Sequence, residues 1–180
     1  MNLAVDQRQA GTVNHRILVA NAIAVLCVGV AVAATPVPPR VAQVLEAVRQ
    51  GKPVSLIALY EDDESFGYVM DRIAEASEKW LDVASRLAPT ADAHPGEELA
   101  NALAFALANA PERILSRSFE PISLEFICRG PFEIEDEGKY RDALQRSLSA
   151  VSAVKDAKLA GKRDACLRLL KEVLAAGASK

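Results

Sequence analysis

ESFGYVMDRIAEASEKWLDVASRL, residues 64 to 87, is the stretch whose reading decides the fold class. Phe66, Val69, Met70, Ile73, Ala76, Trp80, Val83, Ala84 and Leu87 recur in it at steps of three and four. Those steps follow the 3.6-residue turn of an α-helix, so these side chains form one continuous apolar stripe. Asp71, Glu75, Glu78, Lys79 and Asp82 fall on the other faces. The spacing predicts a single helix over 64–87. Asp62 and Asp63 precede it, where carboxylates cap the first turn and suit the positive end of the helix dipole.

The same period recurs on both sides. Val41, Val44, Leu45 and Val48 predict a helix over 39–50, stopped by Gly51 and Pro53. The short apolar run 54–60 reads as a helical turn in the core. APTADAHPG, residues 88 to 96, reads as a loop by its prolines, glycine and short polar residues. Leu99, Leu103, Ala106 and Leu107 predict a helix over 97–110, and Pro111 begins a short one containing Ile114 and Leu115. Residues 118–138 are interrupted by Pro121 and Gly130-Pro131. Ile122 to Phe126 alternates like a strand, but no second strand pattern exists to pair its backbone, so a short helix or packed extended segment is expected. Helices over about 136–154 and 157–176 close the chain. The expected fold is all-α: a single-domain bundle or short stack of antiparallel hairpins, about six to seven helices. No fixed repeat period occurs.

Ahead of these helices, residues 17 to 34 read ILVANAIAVLCVGVAVAA, uncharged and mostly apolar. Arg8 and Arg16 precede the run against a single Asp6, and Ala31-Val32-Ala33 gives the small-residue pattern that signal peptidase accepts. The expectation is a signal peptide over 1–33, an all-helical domain over 34–180, and export to the periplasm or beyond. The alternative is an uncleaved inner-membrane anchor, since 18 residues approach the roughly 20 that span a bilayer. Lipid attachment at Cys27 fails because Leu26 stands where a small residue is needed.

Removing the leader leaves 19 basic and 23 acidic residues, a net charge of −4. Such a chain has no electrostatic reason to hold nucleic acid. It also takes Cys27 and His15 away. Cys128 and Cys166 remain as an even pair in an oxidising compartment, and a disulfide between them is the expectation. A redox role is disfavoured, because no Cys-x-x-Cys spacing lowers a thiol pKa.

Little catalytic chemistry is left. His94 is the one remaining histidine, and no nucleophile or orienting group stands beside it in sequence, so it reads as an exposed loop residue. No phosphate loop, nucleophile elbow or zinc-protease pattern occurs, and no cofactor or metal is expected. Glu61, Asp62, Asp63 and Glu64 form one acidic cluster; Glu133, Glu135, Asp136 and Glu137 form another. Both precede helices, where capping and solubility account for them. Each is also a candidate cation site, without the glycine and alternating ligands of a calcium loop, or a patch for a basic partner. Glu125, between Leu124 and Phe126, is the one acid in an apolar context and the candidate general acid if the protein cleaved glycans. Tyr60, Phe66, Tyr68 and Trp80 are candidate groove residues, with Phe66 and Trp80 core residues first.

Three segments carry a resemblance: WLDVASRLAPTADA (80 to 93), ICRGPFEIED (127 to 136) and KRDACLRLL (162 to 170). They are similar to segments of small exported all-α proteins of proteobacteria. The resemblance implies no activity and no site residue, so nothing is transferred from it.

The sequence thus leads to an exported, non-enzymatic helical module that binds another periplasmic or secreted protein, as an inhibitor or immunity factor does. A membrane is a partner only if the leader stays uncut. The alternatives are a cell-wall hydrolase working through carboxylates and a structural or small-ligand carrier.

Overall fold

Helix α1 (Pro39–Arg49) shows how closely local chemistry sets the element ends. Proline at its first position loses no hydrogen bond, and Val41 and Val44 face the core. Gly51 closes it at φ +67°, with Gly51 N–H donating to Val48 C=O at 3.0 Å and Lys52 N–H to Ala47 C=O at 2.9 Å. That pair of bonds is the Schellman stop expected of a glycine there.

The computed structural model describes residues 36–130 and 137–177. The leader, its cleavage site and the alternative anchor fall outside the described residues. No described helix is long and apolar enough to cross a membrane. Among the described residues there are nine α-helices, and no strand beyond one isolated bridge between Phe119 and Ile122.

After α1 come α2 (Leu56–Tyr60) and α3 (Asp63–Ala74), started by Ser55 and Asp62, whose side chains accept from the Ala58 and Ser65 N–H groups. Next is α4 (Glu78–Leu87). The helix expected over 64–87 is therefore two helices. Ala76 takes a left-handed conformation at φ +60°, and its N–H donates to Ile73 C=O at 2.9 Å. Asn109 Nδ2 donates to Ala74 C=O at 2.7 Å and Arg113 Nη1 to Ala76 C=O at 2.8 Å. Two side chains more than thirty residues downstream thus satisfy the carbonyls that the break exposes. The apolar stripe itself survives, with all nine of its side chains buried on both sides of the turn.

The segment read as a loop is mostly helical. Ala88–Thr90 is a 3₁₀ turn, where Thr90 Oγ1 accepts from the Leu56 N–H at 2.9 Å. Then α5 (Ala93–Asn109) begins four residues before the expected start. Pro95 and Gly96 lie in its first turn, where the N–H that proline lacks has no helical acceptor anyway. His94 therefore stands on a helix and not in a loop.

Helix α6 (Pro111–Ser116) follows, then a turn closed by Ile122 N–H to Phe119 C=O at 2.9 Å. Helix α7 (Leu124–Cys128) is started by Ser123, which accepts from Phe126 N–H at 3.1 Å. The alternating stretch is thus partly a short helix. Last come α8 (Glu137–Ser152) and, after a 3₁₀ turn at Ala157–Leu159, α9 (Ala160–Gly177). The count exceeds six to seven because the long stripe is broken and short runs such as Leu56–Tyr60 complete a turn of their own.

Helix α5 is the centre. It packs against α2, α3, α6, α7 and α8, and α9 packs on α8 and α7. Nine of its residues are buried, Ala100, Ala102, Ala104 and Ala106 among them, which lets neighbouring helices approach closely. Cys128 and Cys166 are bonded with Cα atoms 5.3 Å apart, fixing α7 to α9 as the cysteine inventory predicts.

Candidate interaction surface at the amino end of the central helix

The first turn of α5 reaches the surface between two exposed aromatic rings. On one side Tyr60, at the end of α2, is 36% exposed, with Ile57 one turn before it 49% exposed. The Tyr60 ring meets Phe66 edge-on at 5.0 Å, which seats it on the core. It meets the His94 ring, also edge-on, at 5.7 Å. His94 is itself half-exposed, its ring nitrogens 3.8 Å from Glu97 and 3.7 Å from Glu98 on the next turn.

On the other side of that turn is Phe126 of α7, 37% exposed. Between it and α5 runs an open groove of about 290 Å³, lined by Asp92, Ala93, Glu97, Pro121, Ile122 and Phe126 among others. Asp92 sits at the N-cap position of α5 but its side chain does not cap the helix. Glu97 belongs to both the groove and the His94 contact, so Tyr60, His94, Glu97 and Phe126 form one continuous surface.

This surface lies on the acidic part of the molecule. Over residues 56–98 eleven acidic side chains stand against three basic ones, whereas over 137–177 five stand against nine. The cluster Glu61 to Glu64 adjoins Tyr60 in the chain. Its members divide the work: Asp62 accepts from the N–H and hydroxyl of Ser65, while Glu61, Asp63 and Glu64 point to solvent.

The other sequence candidates lie apart from this surface or do less. Glu133, Glu135 and Asp136 fall outside the described residues, and Glu137 is exposed in the first turn of α8. Glu125 is 62% exposed and paired with Arg129 at 2.8 Å. Their hydrogen bond raises the guanidinium of Arg129 above its ordinary value. Glu125 therefore has neither the dry pocket nor the facing second carboxyl that glycan cleavage uses. Phe66 and Trp80 are core residues, and Tyr68 packs on Trp80 under the Arg72 guanidinium. Among the described residues no three His, Cys, Asp or Glu side chains converge as a metal site requires. A larger open groove, about 910 Å³, is lined by Phe105 of α5 and by Lys139, Asp142 and Arg146 of α8.

Periodicity gave no sign of the Tyr60–Phe126 surface. Phe126 and His94 sit in segments whose period is too short to read, and the groove exists only because α7 is brought back against α5. No protein family, curated protein or solved structure matches the chain. The surface must therefore be read from its own chemistry.

Proposed function

We propose that this is an exported, non-enzymatic protein-binding module, and that it docks its partner through the acidic, aromatic surface at the amino end of α5. The observation that carries this reading is the pair of exposed rings, Tyr60 and Phe126, on either side of one acidic helix start. Exposed aromatics with apolar backing are the residues that supply most binding energy in protein interfaces. A surrounding excess of carboxylates steers a basic partner and speeds encounter. Export rests on the leader-like residues 1–33, and it sets the partner among periplasmic or secreted proteins.

Site-specific photo-crosslinking in cells tests the docking face. A photoreactive phenylalanine analogue placed at Tyr60 and, separately, at Phe126 is expected to trap one and the same protein. The same analogue at Arg168, an exposed residue on α9, is expected to trap none of it. Identical capture from all three positions, or no capture from the first two, overturns the proposal.

A further inference from the structure

The three shortest helices are held in place by different means. Helix α2 has the Leu56 N–H donating to Thr90 Oγ1 at 2.9 Å and Arg40 Nη1 donating to Ala58 C=O at 2.7 Å. Helix α6 buries Ile114 and Leu115 fully, and it sends Arg113 to Glu78 at 3.0 Å and Arg117 to Asp82 at 2.6 Å. Helix α7 buries two of its five residues, Ile127 and Cys128, with Leu124 half-buried. Its far end meets α8 through Gly130, close against Leu144, and through the Tyr140 hydroxyl. That hydroxyl stands 3.5 Å from the Arg129 carbonyl, at the outer limit of a hydrogen bond. A single turn does not persist on its own propensity, because nucleation costs more than its few internal bonds return. For α7 the firm tie is the sulfur bridge from Cys128 to Cys166 on α9, and both cysteines are closed off from solvent. A long closed loop explains why such a bridge stabilises the fold as a whole. It does not explain why the bridge stands where the other two short helices have hydrogen bonds and ion pairs.

We infer that the Cys128–Cys166 bond is a redox-sensitive latch on α7. Oxidised, it holds that turn against α5 and α9; as two thiols, it lets the turn go while the other helices stay packed. The latch goes beyond the docking role proposed above and does not depend on it. To open it, a thiolate of an external dithiol attacks one sulfur, which forms a mixed disulfide and frees the other cysteine as a thiol. The second thiol of the dithiol then displaces the cysteine still bound. Two electrons pass to the protein, the dithiol becomes a disulfide, and its two protons end on Cys128 and Cys166. The same steps in reverse, with a disulfide as oxidant, close the latch. Buried sulfurs are reached only when α7 lifts, so reduction and local opening are coupled. Released, α7 uncovers Cys166 and the parts of α5 and α9 on which it packs. A chain in a reducing compartment therefore presents a different surface from an oxidised one.

The test compares the full chain oxidised and after reduction with dithiothreitol. It reads backbone Cα chemical shifts and the alkylation of Cys128 by a maleimide, located by peptide mass. On reduction the shifts of Leu124 to Cys128 are expected to move from helical to coil values, while those of α3 and α5 stay helical. Cys128 is expected to alkylate within about tenfold of its rate in the urea-unfolded chain, since a released turn shields it little. The double replacement Cys128→Ala with Cys166→Ala has no pair to re-form and is expected to show the same coil shifts. Helical shifts at α7 in either form, or alkylation slowed by more than about tenfold, mean that the turn stands without the bond and overturn the inference. Coil shifts throughout the chain mean that the bond holds the whole fold and not α7, and they overturn it too. Photo-crosslinking from Tyr60 in the oxidised chain tests the docking face separately, so either reading can fail while the other stands.

Discussion

Gly130 ends α7 at φ +94°, a backbone state that side chains rarely adopt. A Cβ built there would run into the side chain of Leu144, which is almost fully buried on α8. Strain and overlap act together, so Gly130→Ala is expected to destabilise the fold by roughly 2–3 kcal/mol. Urea unfolding of the two proteins measures it; an unchanged midpoint would mean that the backbone here relaxes freely. Two alanines hold the opposite lesson. Ala76 and Ala93 both have positive φ, at 60° and 46°. The methyl of Ala76 is wholly buried, so glycine there loses packing as it relieves strain. Ala93 is exposed, and Ala93→Gly relieves left-handed strain of about 1–2 kcal/mol against an entropy loss of about 0.5–1. The expected outcome is a gain of roughly 0.5–1 kcal/mol on the same urea scale, and a loss would show that the turn is unstrained.

At the scale of elements, the stripe over 64–87 was legible and its break was not. Ile73, Ala76 and Trp80 keep the helical step across the turn, so apolar spacing cannot mark it. What fixes the break is Asn109 and Arg113, and nothing local to residues 75–77 announces them. The start of α5 was hidden for a different reason: Pro95 and Gly96 signal a loop, yet a first turn tolerates both. The disulfide was legible from counting, because removal of the expected leader would take Cys27 and leave two thiols and one pairing. Its two cysteines are buried, on α7 and α9. Closing 38 residues stabilises the fold by roughly 4 kcal/mol on the chain-entropy account. Replacing both cysteines by alanine is expected to lower the unfolding free energy by about that much, and a reductant should then have no further effect. A midpoint that is insensitive to the double replacement would show that the bond adds nothing.

At the scale of the whole molecule, the fold class could be read because buried residues recur every three to four positions in α1, α3, α4, α5, α8 and α9. The candidate surface could not. It is assembled from the end of α2, the start of α5 and the short α7, which are distant in the chain and individually too brief to carry a pattern. The acidic cluster Glu61 to Glu64 adjoins Tyr60 in the chain, on the same half as the proposed surface. It did not single out Asp92 and Glu97, which line the groove beside Phe126.

The central position of α5 also orders events during synthesis. Its partners α2 and α3 leave the ribosome before it, but α6, α7 and α8 leave after it. A nascent chain whose α5 has emerged before α8 is made therefore holds a helix with only part of its alanine- and leucine-rich buried surface covered. Helices α6 and α7 cover part of the rest, and the covering is complete only when α8 has been made. Completion of the core is thus a late, almost terminal event, and a chain truncated before α8 is expected to be held by chaperones or degraded and not to persist as a smaller folded domain.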